Sequence, residues 1–531
     1  MPAKPALFGA PRRLVLWLLL LSLVRLAAAG LVPLTEDEAY YRLWAQHPAL
    51  GYYDHPPMMA WWIHVGVRLV GDNALGARLL AVIASGLTSL VIFHTARLCG
   101  LSERVSSRAA LWYNFTFLVG FGGYLIVPDA PSSFFWTLTL FCLVASQDAA
   151  KRGRSEAPFW LLAGLAAGLA MLSKYSALFL WPGVGLWLVA SEGGRRKLLT
   201  PWPWLAGLVA LCVFSLNLSW NLAHGMVSFQ KQFGRAAAET FQPKHLVELV
   251  VTQFVLLNPF IAPLAVLGLV KAGKRWSLWL DPEALIFFLT LPFALYLGLH
   301  SLHDGVQGHW PAPLYPGLAI LAADRAEDIV TSDLKGFAYS LVRAAAPTGL
   351  VLSLLAAVHM ALPATDIFGK LDMSAQLRGW PQFAQRIERL RRQTGSGWVG
   401  ALSFGQAAML EDQKTIQAPV VQINERDRYA FQPKPDARVM AGPGLVVDYS
   451  RRVTPADLLY CFGKVTQVAE LDRGTEGRVL FGARPRRFSY TIYRVEAPKF
   501  NLIDQGCWES KSLADSLKRR RDRAAPSGLF K

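Results

Sequence analysis

Long apolar runs separated by short polar connections fill the first 360 residues. About 20 apolar residues cross a bilayer as a helix. The pattern predicts spans near 14–32, 77–96, 109–126, 131–147, 159–172, 177–190, 203–221, 247–270, 284–300, 311–323 and 338–360. The stretch 159–190 also reads as one kinked element. Beyond residue 361 the apolar runs shorten and charges mix with them. Gly400–Phe404, Gly444–Asp448 and Phe488–Val495 read as strands, the last with partial alternation, and Arg378–Gln393 reads as a helix. The expected architecture is an α-helical polytopic membrane protein of about 11 transmembrane helices, residues 1–360, with a large first loop over 33–76. A small α/β domain over 361–531 follows it.

Composition agrees. Of 531 residues, 53% are hydrophobic and 17% charged, which is too apolar for an ordinary soluble protein. The formal charge is nevertheless +17. Basic cytoplasmic loops and attraction to anionic lipid are the usual source of such an excess in a membrane protein. With the N-terminus inside, the inner segments hold clusters such as Arg97, Arg104 and Arg108, or Arg195, Arg196 and Lys197. The outer loops before residue 361 hold Arg42, Arg68, Lys174, Lys231, Arg235 and Lys244. The bias places the N-terminus in the cytoplasm, and an odd number of spans then puts 361–531 outside. The first segment also has signal-peptide features, Leu14–Val24 followed by Ala27-Ala28-Ala29, but apolar character resumes at Leu31-Val32 and favours a retained span. The basic tail Lys518–Arg523 reads as a solvated or headgroup-facing end. There is no nucleic-acid module and no repeat of solenoid period. No cysteine pair has metal-ligand spacing. Cys461 and Cys507 are candidates for a disulfide in an oxidising compartment.

The unusual polar residues converge on the proposed outer face. Asp37 and Glu38 open the first loop, and Tyr53-Asp54-His55 precedes Pro56-Pro57. Asp129 stands in Val127-Pro128-Asp129-Ala130-Pro131, and Lys174-Tyr175 lies between two spans. His300, His303, Asp304, Gln307 and His309 crowd before Trp310-Pro311-Ala312-Pro313. Each has an ordinary reading. Asp129 fits a helix cap, Lys174 a snorkelling anchor, and His303, Asp304 and His309 a plain polar loop. The tyrosines, with Trp61 and Trp62, fit an interfacial belt. Asp37-Glu38 fit helix N-terminal charges. Acids held at a membrane boundary are costly, however, and mark candidate polar chemistry.

Taken in order, Asp37-Glu38, Tyr53-Asp54-His55-Pro56-Pro57, Pro128-Asp129-Ala130-Pro131 with Phe135-Trp136, Leu172-Ser173-Lys174-Tyr175 and Trp310-Pro311-Ala312-Pro313 carry a resemblance. Over roughly residues 14–360 the chain resembles GT-C glycosyltransferases of the dolichyl-phosphate-mannose-protein mannosyltransferase type. It looks in particular like the bacterial lipid A aminoarabinose transferases and the lipopolysaccharide-core galacturonosyltransferases. The resemblance implies a GT-C fold in the bacterial inner membrane, a polyprenyl-phosphate-linked sugar as donor, and an outer-face acceptor: a glycolipid, a glycan or a protein. It implies Asp37 as the base of an inverting transfer, with Glu38 and Asp129 shaping the acceptor side or holding a divalent cation, magnesium or manganese, together with Asp37. His55 and Lys174, with Tyr53 and Tyr175, are the candidates for the donor phosphate; Asp54, His303, Gln307 and His309 are candidate substrate contacts. His55 stands where the aminoarabinose transferases look to have lysine, leaving a weaker, pH-dependent cation. A transporter or flippase for lipid-linked sugars, a ligase-like transferase using a lipid diphosphate, and a non-catalytic scaffold are the alternatives. A transporter would place its polar groups at the midplane between two similar halves, and neither feature is present.

Overall fold

The computed structural model describes residues 10–234, 241–332, 336–361, 373–450, 453–474 and 488–507. The chain forms two compact units. Residues 1–31 and 49–357 make the first, and residues 32–48 with 358–531 make the second.

In chain order the helices begin with α1 (Arg12–Leu31), α2 (Glu36–Gln46), α3 (Met58–Val70), α4 (Ala74–Leu98), α5 (Glu103–Phe115) and α6 (Phe117–Gly122). They continue with α7 (Asp129–Lys151), α8 (Ala157–Met171), α9 (Leu180–Ala190), α10 (Glu192–Leu198), α11 (Trp202–Ala223) and α12 (Val227–Gly234). The series then runs through α13 (Lys244–Leu256), α14 (Ala262–Gly273), α15 (Pro282–His300), α16 (Tyr315–Thr331) and α17 (Phe337–Ala361). All but α2 lie in the first unit, α17 up to residue 357.

Each expected apolar segment is largely helical. Among the described residues five helices are long and apolar enough to cross a membrane: α1, α4, α11, α15 and α17. The segment 247–270 is two helices, because Asn258 adopts φ 75°. The side chain of Asn258 satisfies the broken backbone, donating to the carbonyls of Phe115 and Ala345 and accepting from the Phe260 amide. The segment 109–126 is likewise split, into α5 and α6, where Thr116 caps the second helix. The stretch 159–190 is not continuous: α8 stops at Met171 and Lys174 is extended, at φ −157°. Gly164 and Gly168, four residues apart on α8, let α11 approach closely. A Cβ at Gly164 would lie 2.3 Å from the Ala206 carbonyl oxygen, and one at Gly168 2.7 Å from Val213 Cβ. Arg25, buried in α1, ties three elements together by donating to Ser85 Oγ, Asn114 Oδ1 and the Val119 carbonyl.

The second unit continues with α18 (Trp380–Gln393) and α19 (Phe404–Asp412) around a five-stranded sheet. Its strands are β1 (Trp398–Ala401), β2 (Val420–Gln422), β3 (Gly444–Tyr449), β4 (Phe462–Arg473) and β5 (Phe488–Pro498), in the order β2-β1-β3-β5-β4. β1 pairs in parallel with β2 and β3; β5 runs antiparallel to β3 and β4. β1 and β3, in the centre, are buried almost throughout. β4 is an edge strand with most positions at least partly exposed, which hides its alternation. Cys461 and Cys507 form the expected disulfide, and both lie in the core with Trp398, Val446 and Val495. The basic tail 518–523 lies outside the described residues.

The first loop departs most from expectation. Residues 33–76 contain the helices α2 and α3, and 32–48 belong to the second unit, whose remainder starts at 358. The reason is aromatic packing. The Tyr40 ring lies 4.9 Å from Trp44, 5.1 Å from Phe404 and 5.5 Å from Tyr429, between centroids. The Tyr40 hydroxyl donates to the Arg428 carbonyl, and Arg42 pairs with Asp412 at 2.7 Å, both side chains nearly buried. Aromatic pairs of this kind add about 0.5–1.5 kcal/mol each beyond the area they bury.

Candidate active site

In the first unit, helix ends and breaks converge on Asp129. Pro128 precedes α7 and Asp129 occupies its first turn, where the helix dipole favours a carboxylate. Asp129 makes no side-chain cap. Its Oδ1 accepts from Lys174 Nζ at 2.7 Å, and His309 Nε2 lies 3.5 Å from Oδ2. The break after α8 positions the lysine. Ser173 Oγ donates to the Leu169 carbonyl, the Met58 amide donates to the Leu172 carbonyl, and the extended residue 174 turns toward α7. Lys174 keeps 12% of its side-chain surface and Asp129 5%, so the pair is buried and Lys174 is not a snorkelling anchor. The Trp310 ring lies 5.9 Å from Nζ, a cation–π contact on a second side. Gln307 Oε1 accepts from Trp310 Nε1 and fixes that ring. Burial pulls the His309 imidazole below its ordinary pKa; Asp129 opposes this and Lys174 reinforces it. Since 37% of the His309 side chain stays accessible, solvent tempers the shift.

Other candidates fall nearby along the chain. His303 is exposed, and Asp304 accepts from the Gly305 amide as an ordinary turn. Lys231 of α12 stands 5.4 Å over the Tyr53 ring. Gln232 Nε2 donates to the Asp54 carbonyl and Ser228 Oγ to the Tyr52 carbonyl, so α12 clamps the turn that carries Asp54 and His55. The Tyr52 amide closes that turn on the His55 carbonyl. The Tyr175 hydroxyl donates to Asn217 Oδ1 at 2.9 Å and accepts from Asn221 Nδ2, which commits it to α11. Asn217 also donates to the Leu50 carbonyl. Sequence reasoning passed over Asn217, Asn221, Ser228 and Gln232. The two asparagines, one turn apart in an apolar helix, were the signal available.

The second unit holds Asp37 and Glu38. Thr35 and Glu38 form a capping box: Glu38 Oε2 accepts from the Thr35 amide, and Thr35 Oγ1 from the Glu38 amide. Glu38 is fully buried and Asp37 is exposed. The helix-charge reading therefore describes Glu38, while Asp37 stays open to solvent. A hard cation gathers several oxygen ligands. Asp129 already faces Lys174 and His309, Glu38 caps its helix, and no three His, Cys, Asp or Glu side chains cluster to hold a metal ion among the described residues.

The GT-C resemblance read from the sequence is borne out by likeness to known proteins. Residues 54–220, which include Asp129 and Lys174, match the family model for dolichyl-phosphate-mannose-protein mannosyltransferase. Among individual proteins, the lipid A galacturonosyltransferase of Rhizobium johnstonii is 28% identical over 302 residues, covering 54% of this chain and 59% of that protein. The undecaprenyl phosphate-alpha-4-amino-4-deoxy-L-arabinose arabinosyl transferase of Pseudomonas aeruginosa is 29% identical over 283 residues, 51% of this chain and 49% of that protein. The chain thus spans about half the length of the curated relatives it matches. The crystal structure of ArnT from Cupriavidus metallidurans shares the fold at TM-score 0.59 and 15% identity, over 92% of this chain and 98% of that one.

Proposed function

We propose that the chain is a glycosyltransferase of the bacterial inner membrane. It moves a sugar from a polyprenyl monophosphate to an envelope acceptor at the outer face, with inversion at the anomeric carbon. The observation that carries this reading is the buried Lys174–Asp129 pair, set inside the stretch that matches the mannosyltransferase family. The names of the relatives, both sugar transferases and one specifying an undecaprenyl-phosphate donor, support the same chemistry.

The roles follow from charge flow. The acceptor hydroxyl attacks the anomeric carbon and gives its proton to Asp37, the base of an inverting displacement. The bond from that carbon to the phosphate oxygen breaks, and the polyprenyl phosphate leaves with an added negative charge. Lys174 and His55 supply the positive charge that stabilises it, Lys174 within the apolar setting that makes such stabilisation strong. Asp129 accepts a hydrogen bond from Lys174 and orients it. With the N-terminus cytoplasmic, the reacting face and the second unit are periplasmic. A transporter of lipid-linked sugars would leave the sugar–phosphate bond intact, which is the distinguishing chemistry.

The test is mass spectrometry of envelope lipids from cells with and without the protein, and with Asp37→Asn. The expected result is one added sugar mass on lipid A, core oligosaccharide or another envelope component, present only with the native chain. Identical envelope profiles in all three strains, with the protein inserted and intact, would overturn the reading.

A further inference from the structure

At the opposite end of α1 from the segment that leads to Asp129 lies a groove with a different composition. The far end of α1 is fixed by Arg78 Nη1 donating to the Ala29 carbonyl and by Arg78 stacking on Tyr124, five residues before Asp129. The near end, with α5 and α17, encloses a cavity of about 540 Å³, within the range of lipid- and drug-sized sites. The helix length of 20 residues separates the two ends by roughly 30 Å.

The walls of the groove are graded. Its buried part is apolar and aromatic, formed by Leu14, Trp112 and Phe115 with the half-buried Leu111 and Ala346, while Trp17 is exposed. Its mouth carries Arg13, Arg104 and Arg108, with Ser107 and one acid, Glu103. Arg108 is engaged: it pairs with Glu327 at 2.9 Å and lies over the Trp112 ring. Among the described residues no hydrogen bond or ion pair engages the Arg13 or Arg104 guanidinium, and both are exposed. A net positive mouth above an apolar slot between membrane helices matches an anionic headgroup with an acyl chain below it. Arginine suits a phosphate better than lysine does, because its fork of donors meets two oxygens at once.

We propose that this groove binds an anionic glycerophospholipid of the cytoplasmic leaflet. The phosphate is held by Arg13 and Arg104, and one acyl chain lies along Trp17, Trp112 and Phe115. The occupant is a bilayer phospholipid and not the polyprenyl donor, because the arginines at the groove's mouth sit at the opposite end of α1 from the segment that leads through Tyr124 to Asp129. The site goes beyond the transferase reading and stands whether or not that reading holds.

The experiment is native mass spectrometry of the purified full-length chain in detergent, titrated separately with phosphatidylglycerol, phosphatidylcholine and undecaprenyl phosphate. Wild type should retain phosphatidylglycerol in preference to phosphatidylcholine. Arg13→Ala/Arg104→Ala should weaken phosphatidylglycerol retention roughly 30-fold, taking about 1 kcal/mol for each arginine lost near the headgroup. Lys151→Ala/Lys274→Ala, which removes two charges elsewhere on the same expected face, should leave it unchanged. Ser107→Trp, which fills the slot without altering charge, should also weaken it. Equal retention by the arginine variant, or equal binding of phosphatidylcholine by wild type, would overturn the proposal. So would loss of undecaprenyl phosphate, but not phosphatidylglycerol, in the arginine variant.

Discussion

Lys174→Met is the most informative single perturbation. Nζ lies 2.7 Å from Asp129 Oδ1, and both side chains are nearly buried. At that distance two unit charges attract by roughly 6 kcal/mol at an effective dielectric near 20. Desolvation offsets much of this. Removing one partner of a buried pair costs about 3–5 kcal/mol, because the other charge is left uncompensated. Lys174→Met should therefore lower the melting midpoint of the detergent-solubilised protein sharply, Asp129→Asn less, and the double variant less than the sum of the two. His309 adds a pH signature. Its pKa is held down by burial and by Lys174, while Asp129 pulls it up. Without Lys174 the repulsion is gone and the unpaired Asp129 carboxylate, 3.5 Å away, raises it. Burial, the largest cause, remains and still holds the imidazole below its ordinary value, so both proteins lose stability as His309 is protonated, but the variant loses less of it. The deficit of Lys174→Met relative to the native chain should accordingly narrow as pH falls below about 6.5, the ordinary histidine value. On a His309→Ala background the Lys174→Met deficit should not narrow. Kinetically, Lys174→Met should raise the donor KM and leave the acceptor KM near wild type. Additive melting shifts, or a Lys174→Met deficit that narrows equally on the His309→Ala background, would refute the reasoning.

Three further outcomes are expected. Burial pushes the Glu411 carboxyl up to about 7, with Gln432 opposing and Asp412 adding to the rise, so its stabilising contribution fades as pH climbs from 4.5 through 7. Glu411→Gln should stabilise the protein at pH 8 by about 2–3 kcal/mol and flatten its melting profile between pH 5 and 8; parallel profiles would contradict this. Denatured without reductant, the chain should show three free thiols, Cys99, Cys142 and Cys212, and five after reduction. Removing the Cys461–Cys507 bond, which spans 46 residues, should cost roughly 4 kcal/mol; five thiols before reduction would refute the bond. Chelation with EDTA should leave turnover within about twofold, since Lys174 already supplies a positive charge for the leaving phosphate. A loss restored by magnesium or manganese would instead assign that charge to a cation.

The apolar pattern revealed the long helices of the first unit, because burial in lipid demands long apolar runs whatever the tertiary detail, but not α3, α10 or α12. It did not reveal the breaks. Asn258 and the Leu172–Lys174 turn depend on carbonyls supplied by distant segments, so no local signal marks them. Asp129 and Lys174 stood out as polar residues at the joints of apolar runs, but their pairing across 45 positions is a property of the packed helices. In the second unit β3 and β5 were legible as compact apolar strands. The three-residue β2 and the largely exposed edge strand β4 were not, since neither carries a sustained pattern. The helix α2 is the clearest case. Its acids drew attention as chemistry, yet Glu38 closes a capping box, and the fate of the segment is set by Tyr40 meeting residues nearly 390 positions away.

The central claim is bond transfer from a lipid phosphate, and it is tested by supplying the purified chain in liposomes with undecaprenyl phosphate carrying a labelled sugar, galacturonic acid or 4-amino-4-deoxy-L-arabinose in parallel, together with lipid A. The account predicts equal amounts of free undecaprenyl phosphate and labelled acceptor from at least one donor, with both products lost in Asp37→Asn. Movement of the labelled donor across the bilayer with its sugar–phosphate bond intact would contradict it.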